Sequence, residues 1–218
     1  MSNFGLWLFR LMAFVPPLLL ALMAAPRLQS GLVLDTAFPA TLYMSMDVAL
    51  PPEAYAEAER RLAHVAPEDG GSAIARAQAA ALSGRAGAVD LAEAGLARAP
   101  ASAWGWTVIA EISDDPVRGP AALEMALRLA PFDPWLAGRR AQAGAFLWDV
   151  LAADARDLVL RQARIIWIDS DLHGQVRPLL RTPQGGTLVT RAFAEAPEDL
   201  RGLNRWVART AWRESLGR

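Results

Sequence analysis

Apolar residues recur three and four positions apart from residue 51 to the end of the chain, and Pro, Gly or Ser interrupts the pattern at short intervals. This spacing predicts a succession of short amphipathic α-helices with caps between them. The predicted helices are 52–65, 72–84 with Ser72 as its cap, 87–99, 102–113, 120–130, 133–151, 154–168, 171–181, 186–195 and 198–213.

The amino terminus has a different pattern. Residues 6–25 are almost wholly apolar, with Arg10 as their single charge. As a helix this run is ~30 Å long, about the thickness of the hydrocarbon core of a bilayer. Small residues are not placed for signal peptidase around Ala24 and Ala25, and Pro26 follows. We therefore predict an uncleaved membrane anchor, while a removed signal peptide has the same physical pattern and stays the alternative.

Three segments follow from this division: a signal anchor at residues 1–27, a stem at 28–50 and a helical domain at 51–218. The stem is apolar but is interrupted by Asp35, Pro39 and Asp47, so a second span is not predicted. The bilayer is thus a predicted partner through residues 6–25. We expect a single-pass protein of a bacterial inner membrane, with the carboxyl-terminal domain in the periplasm.

The amino-acid composition favours helix and excludes several kinds of catalytic and metal site. The 218 residues include 44 Ala, 31 Leu and 22 Arg with no Lys, a weighting that favours helix over strand and is typical of a GC-rich bacterial genome. There is no Cys, which excludes disulfides, thiolate nucleophiles and cysteine metal sites. His64 and His173 are the only imidazoles. We therefore predict an all-α protein without cofactor, metal or catalytic residues, which is not an enzyme.

The ends of the predicted helices repeat. The dipeptide Ala-Pro occurs at 66–67, 99–100, 130–131 and 196–197, so the prolines are 33, 31 and 66 residues apart. Trp104 and Trp135 each lie four residues after such a proline. The segments LAEAGLARAP at 91–100 and ALEMALRLAP at 122–131 are similar in sequence.

A period near 33 built from helix pairs resembles the tetratricopeptide repeat (TPR). Trp106 lies at the position of the family's Trp, Ala110 lies near its Gly, and the helices before Pro100 and Pro131 have the expected small and Leu residues, Gly95, Leu96, Ala126 and Leu127. Position 137 is Ala where an aromatic residue is usual, and 150–195 matches poorly. The resemblance covers about 58–150. It implies a TPR-like α-solenoid of antiparallel helix pairs, a fold used for protein binding.

Two motifs resemble ligand sites, but we interpret them as a helix cap and a turn. Asp169, Asp171, His173 and Gly174 resemble the start of a calcium loop, but Leu180 stands where that loop needs a bidentate Glu. Ser170 or Asp171 is expected to cap the next helix. The Gly-rich segment 183–187 is too short for a phosphate loop and is expected to be a turn opening a helix.

Charge is distributed unevenly. Residues 28–155 contain 9 Arg and 16 acidic residues, whereas 156–218 contain 11 Arg and 7 acidic residues. In the last predicted helix an Arg recurs every four residues, which places a stripe of cations on one side; its members are Arg201, Arg205, Arg209 and Arg213. The stripe is either the solvated cap of a solenoid or a surface for an anionic partner. We predict these arginines and Trp106 as partner-binding residues. Nucleic acid is not predicted for an exported chain with a sequence pI of 6.1.

The sequence therefore predicts a membrane-anchored periplasmic TPR-like scaffold or adaptor for another envelope or inner-membrane protein, with polysaccharide assembly or export as the favoured setting. An accessory subunit of a larger membrane complex and a cytochrome c maturation factor are alternatives implied by the same resemblance. A helical-repeat carbohydrate-active enzyme is a further alternative and would need two carboxylates facing each other across a groove.

Overall fold

The computed structural model describes residues 50–64 and 69–216, and for 213–216 the helical backbone only. This part of the chain is wholly helical, so the predicted all-α class is confirmed there. The predicted anchor at 6–25 and nearly all of the stem lie outside the described residues. Among the helices that are described, none is long and apolar enough to cross a bilayer.

Ten α-helices and two short 3₁₀ helices make up the described domain. The α-helices are α1 Pro52–Leu62, α2 Gly70–Leu82, α3 Ala88–Leu96, α4 Ala103–Ile112, α5 Arg118–Leu129, α6 Pro134–Phe146, α7 Ala153–Ile168, α8 Val176–Leu180, α9 Pro183–Ala192 and α10 Pro197–Leu216. The 3₁₀ helices are Trp148–Val150 and Ser170–Gln175.

Three helical hairpins follow one another along the chain. Helix α2 packs most extensively on α3, α4 on α5, and α6 on α7. The first helices of the hairpins also contact one another in order, α2 with α4 and α4 with α6. Each hairpin therefore packs on the next, and the first helices share one face of the stack. Helix α1 packs on α2, and α9 packs on α6 and α7.

Side-chain caps set the starts of the three first helices and of α9. Asp69, Ser102, Asp133 and Thr182 each accept a hydrogen bond from a backbone N–H in the first turn of the helix that follows. Such caps satisfy amide groups that have no partner within the helix. Between α2 and α3 the chain turns at Gly84 (φ 75°) and Gly87 (φ 83°), a left-handed conformation that glycine adopts without strain.

Several predicted boundaries and caps were wrong. Ser72 is not the cap of α2, because Asp69 is and the helix begins at Gly70. The predicted helix 133–151 ends at Phe146, and 171–181 is a 3₁₀ helix followed by α8. Asp169, rather than Ser170 or Asp171, caps that 3₁₀ helix. The Gly-rich segment 183–187 is the first turn of α9 itself.

A continuous apolar core runs from Ile74 in α2 to Leu203 in α10, and Ala forms much of it. Small residues let the helices approach closely. A Cβ atom built on Gly95 would lie 2.9 Å from the carbonyl oxygen of Gly70, and one on Gly144 would lie 2.5 Å from each Cγ atom of Val159. Glycine at these two positions is therefore a packing requirement of the α2–α3 and α6–α7 hairpins.

Aromatic contacts attach the last helix, α10. Trp206 contacts the edge of the His173 ring with centroids 5.3 Å apart, and His173 stacks on Trp167 of α7 at 4.4 Å. Nε2 of His173 is also 2.7 Å from the carbonyl oxygen of Trp167. Leu203 is buried beside them, and a Cβ atom on Gly202 would meet the Trp167 ring at 3.1 Å. One side of α10 is thus packed against the domain.

Candidate functional site

The shared face of α2, α4 and α6 carries a polar network with aromatic rings around it. We call this surface the first-helix face; it consists of Gln78, Trp104, Glu111, Trp135 and Arg139. The guanidinium group of Arg139 binds both carboxylate oxygens of Glu111, with Nε 2.7 Å from Oε1. Arg139 Nη1 and Trp104 Nε1 each donate to Oε1 of Gln78 at 3.3 Å. The network therefore links three helices from three successive hairpins.

The residues of this face occupy matching places in successive hairpins. Trp104 follows its cap Ser102 by two residues, as Trp135 follows Asp133. Gln78 and Glu111 each lie nine residues after the cap of their own helix, Asp69 and Ser102. Trp104 contacts the Gln78 side chain of the preceding hairpin, so the corresponding partner of Trp135 would be Glu111.

At that second place both oxygens of Glu111 are bound by Arg139. The side chain of Arg139 is largely buried, whereas Trp135 is 74% exposed. A large ring at this exposure forgoes most of the free energy that burial would provide. Trp135 therefore projects from the first-helix face and is available for contact.

Buried polar groups hold the turn before Trp135. Arg140, which is fully buried, donates from Nη1 to the carbonyl oxygen of Ala130 at 2.5 Å. Gln162 of α7 donates from Nε2 to the Pro131 carbonyl at 2.8 Å, and the Trp135 N–H donates to Asp133 Oδ1 at 3.0 Å. Burial lowers the pKa of the Arg140 guanidinium, and the charge of Asp133 offsets part of this. These bonds hold the backbone of the turn that leads into Trp135.

A cleft of about 660 Å³ adjoins the first-helix face where the α2–α3 turn meets the end of α4. Gln78 and Glu111 belong to the first-helix face and also line the cleft. Arg85, Asp90 and Asp114 line the cleft only. Arg85 is held in place by Oε2 of Glu59, 2.5 Å from its Nη1, while Arg76 binds Oε1 at 2.7 Å. Burial raises the pKa of Glu59, but the hydrogen bonds and charges of the two arginines outweigh it, so the pKa lies below the ordinary value of 4.5.

The predicted partner-binding residues lie on two separate elements. Arg201, Arg205 and Arg209 are exposed on α10, and Arg213 lies on the same helix, although its side chain is outside the described atoms. Trp106 lies on α4, whose main neighbours are α2, α3, α5 and α6. It is half-buried, and its Nε1 donates to the Pro100 carbonyl at 2.8 Å.

Five tryptophans of the described residues pack against the core, whereas Trp135 is exposed. The five are partly buried against the core: Trp104, Trp106, Trp148, Trp167 and Trp206. Trp148 also lies beneath a guanidinium group, with Cζ of Arg191 4.9 Å from the centroid of its ring. The spacing of tryptophans along the sequence does not by itself distinguish a ring that packs against the core from one that stays exposed.

Neither of the two motifs that resemble ligand sites, at 169–174 and 183–187, forms a ligand-binding site. Oδ1 of Asp169 accepts from the backbone N–H of Asp171 at 3.0 Å, while His173 packs between tryptophans. Within the described residues there is no group of three or more His, Asp or Glu side chains that could hold a metal ion. Asp115 Oδ1 accepts from the N–H groups of Arg118 and Val117, which lowers its pKa. This carboxylate therefore binds backbone N–H groups at the start of α5.

No family model matches the sequence, and no curated protein and no solved structure matches it either. The function must therefore be argued from the geometry of the domain itself.

The first-helix face could not be found from the sequence alone. Its members are separated by up to 61 residues, and Gln78 and Glu111 belong to no motif. The one available signal was the repeat, in which Trp104 and Trp135 take the same place after Ala-Pro.

Proposed function

We propose that this protein is a membrane-anchored periplasmic scaffold, with a TPR-like stack of helical hairpins that docks another envelope protein on its first-helix face. The observation that carries the proposal is the succession of contacts from α2 to α4 to α6, which creates one surface from three hairpins. Stacked hairpins expose extended surfaces of this kind and commonly use them to bind proteins.

The chemistry of the face fits docking. Arg139 and Glu111 neutralise each other at the centre, so a partner does not have to desolvate an unpaired charge there. Trp135 supplies an exposed ring beside this pair, on the same side of α6 as Arg139 and Gln142. Interfaces are commonly dominated by one or two such aromatic anchors, surrounded by polar groups whose hydrogen bonds are already satisfied. We therefore assign Trp135 as the principal contact residue.

Site-specific photocrosslinking tests this assignment. A photoreactive phenylalanine analogue replaces Trp135 in the full chain, and a second variant carries it at Val117, which is equally exposed in the α4–α5 turn. We expect one discrete adduct from position 135 and none of that size from position 117. Equal adduct patterns at the two positions would contradict docking on the first-helix face.

The identified partner is then purified, and its affinity for the full chain in detergent is measured by calorimetry. Loss of an aromatic hot spot typically costs about 2 kcal/mol or more, so Trp135→Ala should weaken binding roughly thirtyfold. A Val117→Ala chain should bind as the unaltered chain does. If Trp135→Ala binds equally well, the contact lies elsewhere on the domain and the assignment fails.

A further inference from the structure

The exposed side of α10 combines cations with an aromatic ring. At about 100° per residue, Trp212 lies about 20° around the helix from Arg201, Arg205 about 40° and Arg209 about 80°. We call these four residues the outer face of α10. Arg205 and Arg209 are exposed, and Trp212 is 63% exposed. The face extends about 16 Å along the helix.

The opposite side of the helix accounts for its attachment. Leu203 is buried and Trp206 contacts His173, and both lie more than about 90° from the centre of the outer face. Gly202, which faces the Trp167 ring, lies about 60° from that centre and marks the border between the two sides. Binding at the outer face therefore needs no detachment of α10 from the domain. The arrangement is that of an amphipathic helix with one side packed against the protein and the other exposed.

The charge of the outer face is not neutralised by its own helix. Asp199 and Glu198 lie in the first turn of the helix. The remaining acidic residue of α10, Glu214, lies about 220° around the helix from Arg201 and so belongs to the side opposite the outer face. The carboxylate of Glu198 is 3.7 Å from Arg201, but these side chains are 89% and 61% exposed. Such pairs contribute little and leave the positive potential of the arginines in place.

We propose that the outer face of α10 binds the anionic phospholipid headgroups of a bilayer surface. Guanidinium groups bind phosphate through paired N–H donors, and a tryptophan among them places its ring at the headgroup level. An acidic protein would satisfy the arginines, but a helical row of arginines with an exposed Trp at its end matches a planar surface better than a pocket. The inference rests on the proposed membrane anchor, which would keep the domain close to such a surface.

The chain contains no cysteine, so a single introduced thiol can carry a reporter. Ala208 is exposed and lies about 20° from Arg201 on the other side of the outer face. The full chain with Ala208→Cys is labelled with an environment-sensitive fluorophore and mixed with vesicles. One set of vesicles is phosphatidylcholine alone, and the other contains about 30% phosphatidylglycerol, enough for a clear negative surface potential.

We expect a blue shift of the label emission with the phosphatidylglycerol vesicles and little shift with phosphatidylcholine alone. Each Arg near an anionic surface strengthens binding roughly fivefold, so the triple variant Arg201→Gln/Arg205→Gln/Arg209→Gln should weaken the lipid response about a hundredfold. Salt at about 0.5 M should suppress the response, because it screens charges at the surface.

A matched control carries the same change of net charge elsewhere. Its substitutions are Arg60→Gln, Arg98→Gln and Arg118→Gln, all at exposed positions in the amino-terminal half of the helical domain. The control should respond as the unaltered chain does, and far-UV circular dichroism should show both triple variants folded. Equal losses of the lipid response in the two triple variants would show that net charge alone causes the effect, and would overturn the proposal. Absence of any lipid response would overturn it too, and would be the outcome if the face binds an acidic protein.

The anchor is tested separately in the same samples. Flotation with pure phosphatidylcholine vesicles reports insertion of residues 6–25, since headgroup charge plays no part there. A chain that fails to float with these vesicles, yet shows the label shift with phosphatidylglycerol, would refute the anchor and support the outer face. A chain that floats with both kinds of vesicle but shows no shift of the label emission would support the anchor and refute the proposal for the outer face.

Discussion

The contact between Gly144 of α6 and Val159 of α7 leaves no space for a methyl group. A Cβ atom at 144 would lie 2.5 Å from both Cγ atoms of Val159, whereas ordinary contacts begin at about 3.4 Å. Val159 is fully buried and β-branched, so its side chain has no alternative rotamer into which it can easily move. The substitution Gly144→Ala must therefore push the two helices apart.

Gly186 in α9 provides the matched control. Both glycines lie within helices, and no atom lies within 4 Å of a Cβ atom built on Gly186. Replacing a helical Gly by Ala stabilises the helix by roughly 0.5–1 kcal/mol in either place. At 144 the overpacking costs about 1–3 kcal/mol in addition. The free energy of unfolding of Gly144→Ala should thus be lower than that of Gly186→Ala by about 1–3 kcal/mol.

Removing the obstructing methyl groups should reverse the effect. Val159→Ala alone should cost about 2 kcal/mol, from the lost apolar burial and the cavity. In the double variant the new methyl group at 144 occupies part of that cavity. The two changes should therefore be non-additive, with a favourable coupling of about 1–3 kcal/mol.

Urea unfolding of the full chain in mild detergent, followed by circular dichroism at 222 nm, measures all four variants. Equal slopes are needed before midpoints are compared, since a changed slope indicates a changed native or denatured state. If Gly144→Ala is as stable as Gly186→Ala, or if the double variant is simply the sum of its parts, the close approach of α6 and α7 is wrong.

Three further outcomes follow from the described contacts. Because the pKa of Glu59 is lowered in the folded protein, its stabilising effect is present above the ordinary value of 4.5 and is lost as the pH falls through the lower folded value. Glu59→Gln should therefore cost about 2 kcal/mol at pH 7 and flatten the loss of stability on acidification, measured as urea midpoints between pH 7 and pH 3. Asp69→Ala removes the cap of α2 and should cost about 0.5–2 kcal/mol, whereas Asp90→Ala, at an exposed position of α3 that is not a cap, should stay within about 0.5 kcal/mol. Trp135→Ala should likewise change the unfolding free energy by less than about 0.5 kcal/mol, so a large loss would show that the ring is a core residue and not a docking group.

Much of the helical pattern could be predicted because its signals are local. Hydrophobic spacing and the Ala-Pro ends located all ten α-helices, with boundaries wrong by a few residues. The errors arose where two residues three positions apart could both cap a helix, as at Asp69 and Ser72, or where a 3₁₀ turn satisfies the same spacing as an α-helix, as at 170–175.

The candidate site was less accessible from the sequence, because it depends on which side chains compete for one partner. Trp104 and Trp135 share a position in the repeat, yet Trp104 donates to the side chain of Gln78 whereas Trp135 is exposed. At the equivalent place Arg139 occupies the carboxylate of Glu111. That competition is decided by packing between hairpins, whereas the arginine row of α10 was predictable because residues four apart on a helix share a side.

The extensive contacts in the described domain join helices at most three apart along the chain. A stack held together in this way has no element that clasps its two ends, so tension applied between the termini would load one hairpin boundary at a time. Stretched by single-molecule tweezers, the domain should lengthen in several small steps, each about the size of one hairpin. A chain held at one end by a membrane and at the other by a moving partner would thus unfold one hairpin at a time and refold when the tension is removed.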